Sequence, residues 1–109
     1  MKDFIDDRGE IRNVEHSAWI FTEKGAVRSN HYHKEGWHYL EVKHGRVRYL
    51  ERDVGGGNEV EKEIGTGGVV FTPPMREHRV EFLEDTLMRS DAAKKAGGDY
   101  EKDTVPVEW

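Results

Sequence analysis

The sequence predicts an all-β domain, a sandwich or a barrel, on three observations. Turn signals recur at short spacing, at Asp7-Arg8-Gly9, Lys24-Gly25, Lys34-Glu35-Gly36, His44-Gly45, Gly55-Gly56-Gly57-Asn58, Gly65-Thr66-Gly67-Gly68 and Pro73-Pro74. The segments between them are short and rich in valine and aromatic residues, the rhythm of antiparallel strands joined by tight turns. No stretch before residue 90 carries the 3.6-residue apolar period of a helix.

Taken in order, the predicted strands are SAWIFTE, AVRSNHYH, WHYLEVK, RVRYLERD, NEVEKEI, GVVFT, HRVEFLE and TLMRS. The glycine run at 55–57 reads as a hairpin tip leading into a half-exposed strand in which Glu59, Glu61 and Glu63 alternate with Val60, Lys62 and Ile64. It is not a phosphate-cradling loop, because no helix and no Lys-Ser/Thr pair follow it. The segment AAKKA, Ala92 to Ala96, has helix-forming residues but is too short to stand alone. From Asp91 to Trp109 the chain is polar but closes on Val105, Pro106, Val107 and Trp109, an arm expected to fold back onto the domain or onto a neighbouring subunit.

At 109 residues, one compact domain spanning 1–109 is expected. The net charge is −5 and the charges are interspersed, without the Lys/Arg stripe that phosphate recognition needs, so nucleic acid is not an expected partner. No apolar run approaches the ~20 residues of a membrane span, and MKDFIDDRGE lacks the apolar segment of a signal peptide, so the cytoplasm is the default compartment. With no cysteine, disulfides and thiolate metal sites are excluded.

Three of the six histidines fall within eight positions, His31, His33 and His38. Residues i and i+2 of a strand share a face, so Ser29, His31 and His33 are expected to point one way and Tyr32 the other. On the next strand His38 shares parity with Leu40 and Val42, which marks that face as the interior. Forty residues on, His78 shares parity with Val80 and Phe82 at the start of another strand. A lone histidine on a strand is most often a surface or hydrogen-bonded residue, and His16 and His44 are read that way. Several imidazoles aimed at one interior point are different, since each buried polar group left unsatisfied costs ~1–3 kcal/mol. A divalent cation satisfies them together, with metal–nitrogen distances of ~2.1 Å.

These spacings resemble the two motifs of the cupin superfamily. The first runs from Gly25 through His31, His33 and position 38 to Gly45; the second runs from Gly67 through Pro73, Met75 and His78 to Phe82. The resemblance implies an antiparallel β-barrel of jelly-roll type with a metal inside one mouth, and commonly a homodimer. Position 38 usually carries glutamate in the family and here is His38, so the implied ligand set is four neutral imidazoles, His31, His33, His38 and His78. Iron, nickel, copper or zinc suits such donors, and manganese is also compatible. Without a carboxylate ligand the cation's charge is less compensated, which favours an anionic or chelating oxygen ligand. Met75, where glycine is usual, suggests a different turn. DDRGEIRNV and GAVRSNHYHK also resemble cupins of nucleotide-sugar and polysaccharide metabolism, including keto-isomerases and epimerases, many of which act without metal.

The expected function is therefore metal-dependent isomerisation or epimerisation of a small oxygenated, sugar-like substrate. An iron- or manganese-dependent dioxygenase and a non-catalytic metal- or small-molecule-binding module are the alternatives. Arg76, in the turn beside His78, is the preferred residue for orienting substrate, with Tyr49 and Arg48 as further catalytic candidates and Arg28 and Arg46 behind them. Arg48 shares parity with Leu50 and Tyr49 with Val47, so only one of these pairs can face inward.

Overall fold

The computed structural model describes residues 3–14, 17–93 and 103–109. Their strands are β1 (Phe4–Asp6), β2 (Gly9–Val14), β3 (Ser17–Thr22), β4 (Val27–His33), β5 (Trp37–His44), β6 (Arg46–Asp53), β7 (Val60–Gly65), β8 (Val69–Thr72), β9 (Arg76–Phe82), β10 (Thr86–Ala93) and β11 (Thr104–Pro106). They form two antiparallel sheets, ordered β1-β2-β3-β10-β5-β8 and β11-β4-β9-β6-β7. Late strands lie between early ones: β10 sits between β3 and β5, and β9 between β4 and β6. This interleaving is the jelly roll.

The apolar alternation of each strand decides which side chains fill the space between the sheets. Ala18, Ile20, Leu40, Val42, Val70 and Met88 come from one sheet and Val47, Tyr49, Ile64, Val80 and Phe82 from the other. Burying side chains of this size contributes ~1.5–3 kcal/mol for the larger ones. Among the described residues, no helix is long and apolar enough to cross a membrane.

Several expectations need correction. The N-terminal segment forms a hairpin, β1 and β2, that adds two strands outside β3. Its apolar Phe4 and Ile5 are adjacent and exposed, and among the described side chains of this hairpin Ile11 packs against the core, so alternation gave no signal. Ala92 and Ala93 extend β10 rather than start a helical turn, because their backbone pairs with His38 and Trp37 of β5; residues 94–96, like His16, lie outside the described residues. On the edge strand β7, Ile64 is buried and the four residues before it are exposed. Glu61 and Glu63 there meet Arg48 and Arg46 across the outer face.

The parity of β4 is the correction that matters most for the site. Arg28 pairs with Val80, Ser29 with Arg79 and His31 with His78, so two residues on β4, Ser29 and Asn30, stand against one on β9. Both take positive φ, 77° and 54°, the geometry of a β-bulge. The extra residue reverses the inward face: Arg28 points inward before the bulge and His31 and His33 after it, while Ser29 lies opposite the outward Arg79. Without the bulge, the face buried at Arg28 would carry Asn30 and Tyr32 into the barrel instead of the two imidazoles.

Gly45 and Met75 hold the two turns that flank this architecture. Gly45 has φ of 116°, and a Cβ there would lie 2.4 Å from the Thr86 hydroxyl oxygen, so only glycine fits. Met75 adopts φ of 60°, the left-handed conformation that glycine supplies easily, and its amide donates to the His33 carbonyl at 2.7 Å.

Candidate metal centre

Three strand ends meet at one mouth of the barrel. β4 arrives there at His31 and His33, β5 departs with His38, and β9 departs with His78. One ring nitrogen from each of His31, His33 and His78 lies within 4.8 Å of the others. His38, from the opposite sheet, has its ring centroid 5.1 Å from His33 and 5.3 Å from His78. His31 and His78 touch edge to face at 4.6 Å, as expected of cross-strand partners on one face.

The outer nitrogen of each of three rings has a protein partner. His78 Nδ1 lies 3.3 Å from the Arg76 carbonyl, His38 Nδ1 lies 3.4 Å from the Ser90 hydroxyl, and His33 Nδ1 lies 3.1 Å from the Thr104 hydroxyl. A carbonyl oxygen can only accept, so His78 carries its proton on Nδ1 and presents a bare lone pair at Nε2. The Nε2 atoms of His31, His38 and His78 are buried with no hydrogen-bond partner.

None of these rings is protonated to the imidazolium at neutral pH. Burial, helped by the His78 and His33 rings, pushes His31 down from 6.5 to about 3. Burial likewise holds His38 at about 3, with His33 and His31 adding to it. His78 is also held at about 3, by burial and then by His38, against a smaller opposing effect of the Arg76 carbonyl. His33 is lowered by burial and partly restored by Asp103. At neutral pH the cluster is thus uncharged, and His78 directs a lone pair inward. Two donors ~2.1 Å from a common cation stand at most ~4.2 Å apart, so a small inward movement brings the 4.8 Å group into range. The donor set fits a divalent transition metal and, being free of carboxylate and thiolate, does not select among manganese, iron, nickel and zinc.

The remaining candidates separate clearly. Arg48 is exposed and paired with Glu61 and Glu81 on the outer face, so the parity of β6 takes it away from the interior. Arg46 is outward too, against Glu63 and Glu84. Arg28 is buried further along β4, on the other side of the bulge, with its Nε donating to the Thr22 hydroxyl at 2.6 Å. Arg76 does face the mouth, but its guanidinium is engaged: Nε donates to Glu51 at 2.8 Å, Nη1 to Asp53, and Nη2 to the Asn58 carbonyl at 3.1 Å. Two carboxylates neutralise it, so it organises the mouth rather than offering a free cation to an anion. Tyr49 is fully enclosed, and its hydroxyl donates to Glu51 Oε1 at 2.8 Å while lying 2.8 Å from the Thr72 hydroxyl. Burial pushes the phenol well above its ordinary range, so it stays protonated.

Glu51 was missed from the sequence. It pairs with His78 across β6 and β9, so His31, His78 and Glu51 form one row on the inner face of adjacent strands. Its parity with Val47 and Tyr49 carried the signal, but the charged run Glu51-Arg52-Asp53 reads as solvent-facing.

Solved structures share this architecture. The capsular polysaccharide protein CapF, in its complex with 3-isopropenyl-tropolone, superposes with a TM-score of 0.87 at 19% identity over 99% of this chain and 34% of that one. The fold is that of the cupins. The present chain therefore spans about a third of the CapF chain. Among other cupins, the dTDP-4-dehydrorhamnose 3,5-epimerase from Sulfolobus tokodaii matches with a TM-score of 0.71 at 22% identity, over 98% of this chain and 76% of that one. QdtA, a sugar 3,4-ketoisomerase from Thermoanaerobacterium thermosaccharolyticum solved with TDP, matches at 0.70 and 18%, over 95% and 82%. At these identities the likeness to each cupin is one of fold. No family model and no curated protein sequence matches the chain.

Proposed function

We propose that His31, His33, His38 and His78 hold one divalent metal ion and that the chain is a metal-dependent isomerase or epimerase acting on a small, oxygenated, sugar-like substrate. The observation that carries the metal is the set of buried Nε2 atoms of His31, His38 and His78 without a hydrogen-bond partner, with the proton of His78 fixed on its opposite nitrogen. Bound there, such a cation supplies Lewis-acid polarisation of a carbonyl or hydroxy-ketone oxygen.

The chain's own residues supply the proton chemistry. Glu51 lies one strand from His78 and is oriented by the Tyr49 hydroxyl on one oxygen and by Arg76 on the other. Tyr49 donates to Glu51, so the Thr72 hydroxyl donates to Tyr49, which fixes the whole row. A carboxylate held this way at the mouth can take a proton from a carbon beside a carbonyl and return it to the neighbouring carbon or to the opposite face. That capacity favours isomerisation or epimerisation over oxidative cleavage, which needs no such base. Sugar-processing proteins among the structural neighbours support the substrate class.

The test is solvent-deuterium incorporation into a thymidine-diphosphate-linked keto sugar and into free ketoses by the metal-loaded protein. Incorporation without oxygen uptake is expected, and Glu51→Gln should slow it by about 10²–10⁴ while retaining metal. An unchanged rate in Glu51→Gln removes the base assignment. Oxygen uptake without exchange establishes the dioxygenase reading instead, and tight binding with neither establishes a binding module.

We also propose a homodimer. Trp37, Tyr39 and Phe71 cluster on the outer face of the six-stranded sheet with ring centroids 5.2–5.8 Å apart, and Tyr39 and Phe71 are 45% and 43% exposed. Sedimentation equilibrium should give twice 12.6 kDa; a monomer at all concentrations contradicts the proposal.

A further inference from the structure

We propose that Asp103 and Thr104, seventy residues downstream of the first ligands, are positioning residues for His33. The proposal rests on the metal-site reading above. His33 ends β4, and residues 34–36 alone turn the chain toward the strand that bears His38. That turn is held from outside. The amides of Glu35 and Gly36 donate to the two carboxylate oxygens of Asp103 at 2.9 and 2.8 Å, and the Lys34 amide donates to the Asp103 carbonyl at 3.0 Å. The carboxylate is tucked so closely against the turn that a Cβ on Gly36 would lie 2.8 Å from Oδ2.

The same segment reaches the ligand itself. Thr104 pairs with His33 and Pro106 with His31, and the Thr104 hydroxyl lies 3.1 Å from His33 Nδ1, with Asp103 Oδ2 at 4.0 Å from that nitrogen. Further along, Val107 donates to the carbonyl of the bulge residue Asn30 at 2.9 Å. The segment is fastened at its far end as well. The Arg52 guanidinium lies 4.0 Å over the Trp109 ring and donates to the Glu108 carbonyl at 2.9 Å, and Arg79 donates to the Trp109 main-chain oxygen at 2.7 Å. One short strand thus spans the backbone between the bulge and the turn, the two irregularities that set where His31 and His33 aim. An acceptor on the outer nitrogen of a ligating histidine fixes its ring and raises its donor strength; the Thr104 hydroxyl is placed to be that acceptor, and Asp103 fixes the turn beside it.

The experiment is cobalt(II) titration of the full chain and of Asp103→Asn, Asp103→Ala and Thr104→Val, followed by calorimetry and by the visible d–d spectrum, with the melting temperature of each metal-free protein. Affinity should fall about 10–100-fold in each variant, with altered d–d bands, while the metal-free proteins remain folded. Unchanged affinity and spectrum overturn the proposal, as does a lowered melting temperature with an unchanged spectrum, which assigns the pair a purely structural role. Should the Asp103 variants not fold, Thr104→Val, which removes only the hydroxyl, decides the matter. A wild-type chain that binds no cobalt overturns the metal reading together with this one; wild-type binding with indifferent variants overturns this one alone.

Discussion

His78→Ala should abolish stoichiometric metal binding, with the affinity for zinc or cobalt falling by more than about 100-fold. That floor follows because loss of a mere outer-nitrogen partner costs about 10–100-fold, and a ligand is worth more than its partner. His78 is the residue to remove because it is wholly buried, at the middle of the row, with ring centroids 4.6, 5.5 and 5.3 Å from His31, His33 and His38. It is also the histidine whose tautomer is settled, by the Arg76 carbonyl. The substitution takes away a buried lone pair without adding a polar group, so the metal-free variant should stay folded. Elemental analysis after dialysis reads the result directly. A variant that keeps a full equivalent of tightly held metal would show that His78 is not a ligand.

The second large effect is acid lability of the metal-free protein. His31, His38 and His78 are neutral in the folded state down to about 3, whereas the unfolded chain binds protons near 6.5. Their contribution to stability is complete above pH 6.5 and is lost as pH falls from there toward 3, because the unfolded state then holds more protons. Each such histidine contributes a slope of up to about 1.4 kcal/mol per pH unit, so three together rival the ~5–15 kcal/mol that holds a domain of this size. Denaturant unfolding of metal-free protein should show stability falling steeply between pH 6.5 and 4.5. Bound metal competes with those protons only in the folded state, so zinc should move the acid midpoint down. Stability of the metal-free protein that stays flat between pH 7 and 5 would contradict the burial of neutral imidazoles.

Local patterning made most of the barrel legible. Turn residues and alternation locate β3 to β10, and the parity of His38 with Leu40 and of His78 with Val80 places both rings inside. His31 and His33 were assigned the correct face, although Ser29 was not, since the bulge at Ser29-Asn30 reverses parity just before them. The bulge is only weakly announced: Asn30 tolerates positive φ, but Ser29 takes it rarely, and neither residue is glycine. Arg48 and Tyr49 shared an ambiguous strand, and only the packing of Val47 and Tyr49 into the core settles which faces out. Glu51 was hidden by its charged neighbours. Asp103 and Thr104 were beyond reach for another reason: their partners lie about seventy residues away in the chain, and pairing at that distance leaves no periodic trace.

The most direct measurement is an anomalous difference map from a crystal of the zinc- or cobalt-loaded protein. A single peak is expected at the barrel mouth, bonded to Nε2 of His31, His33, His38 and His78. A map with no peak among those four nitrogens, or with the metal held elsewhere, would contradict the account.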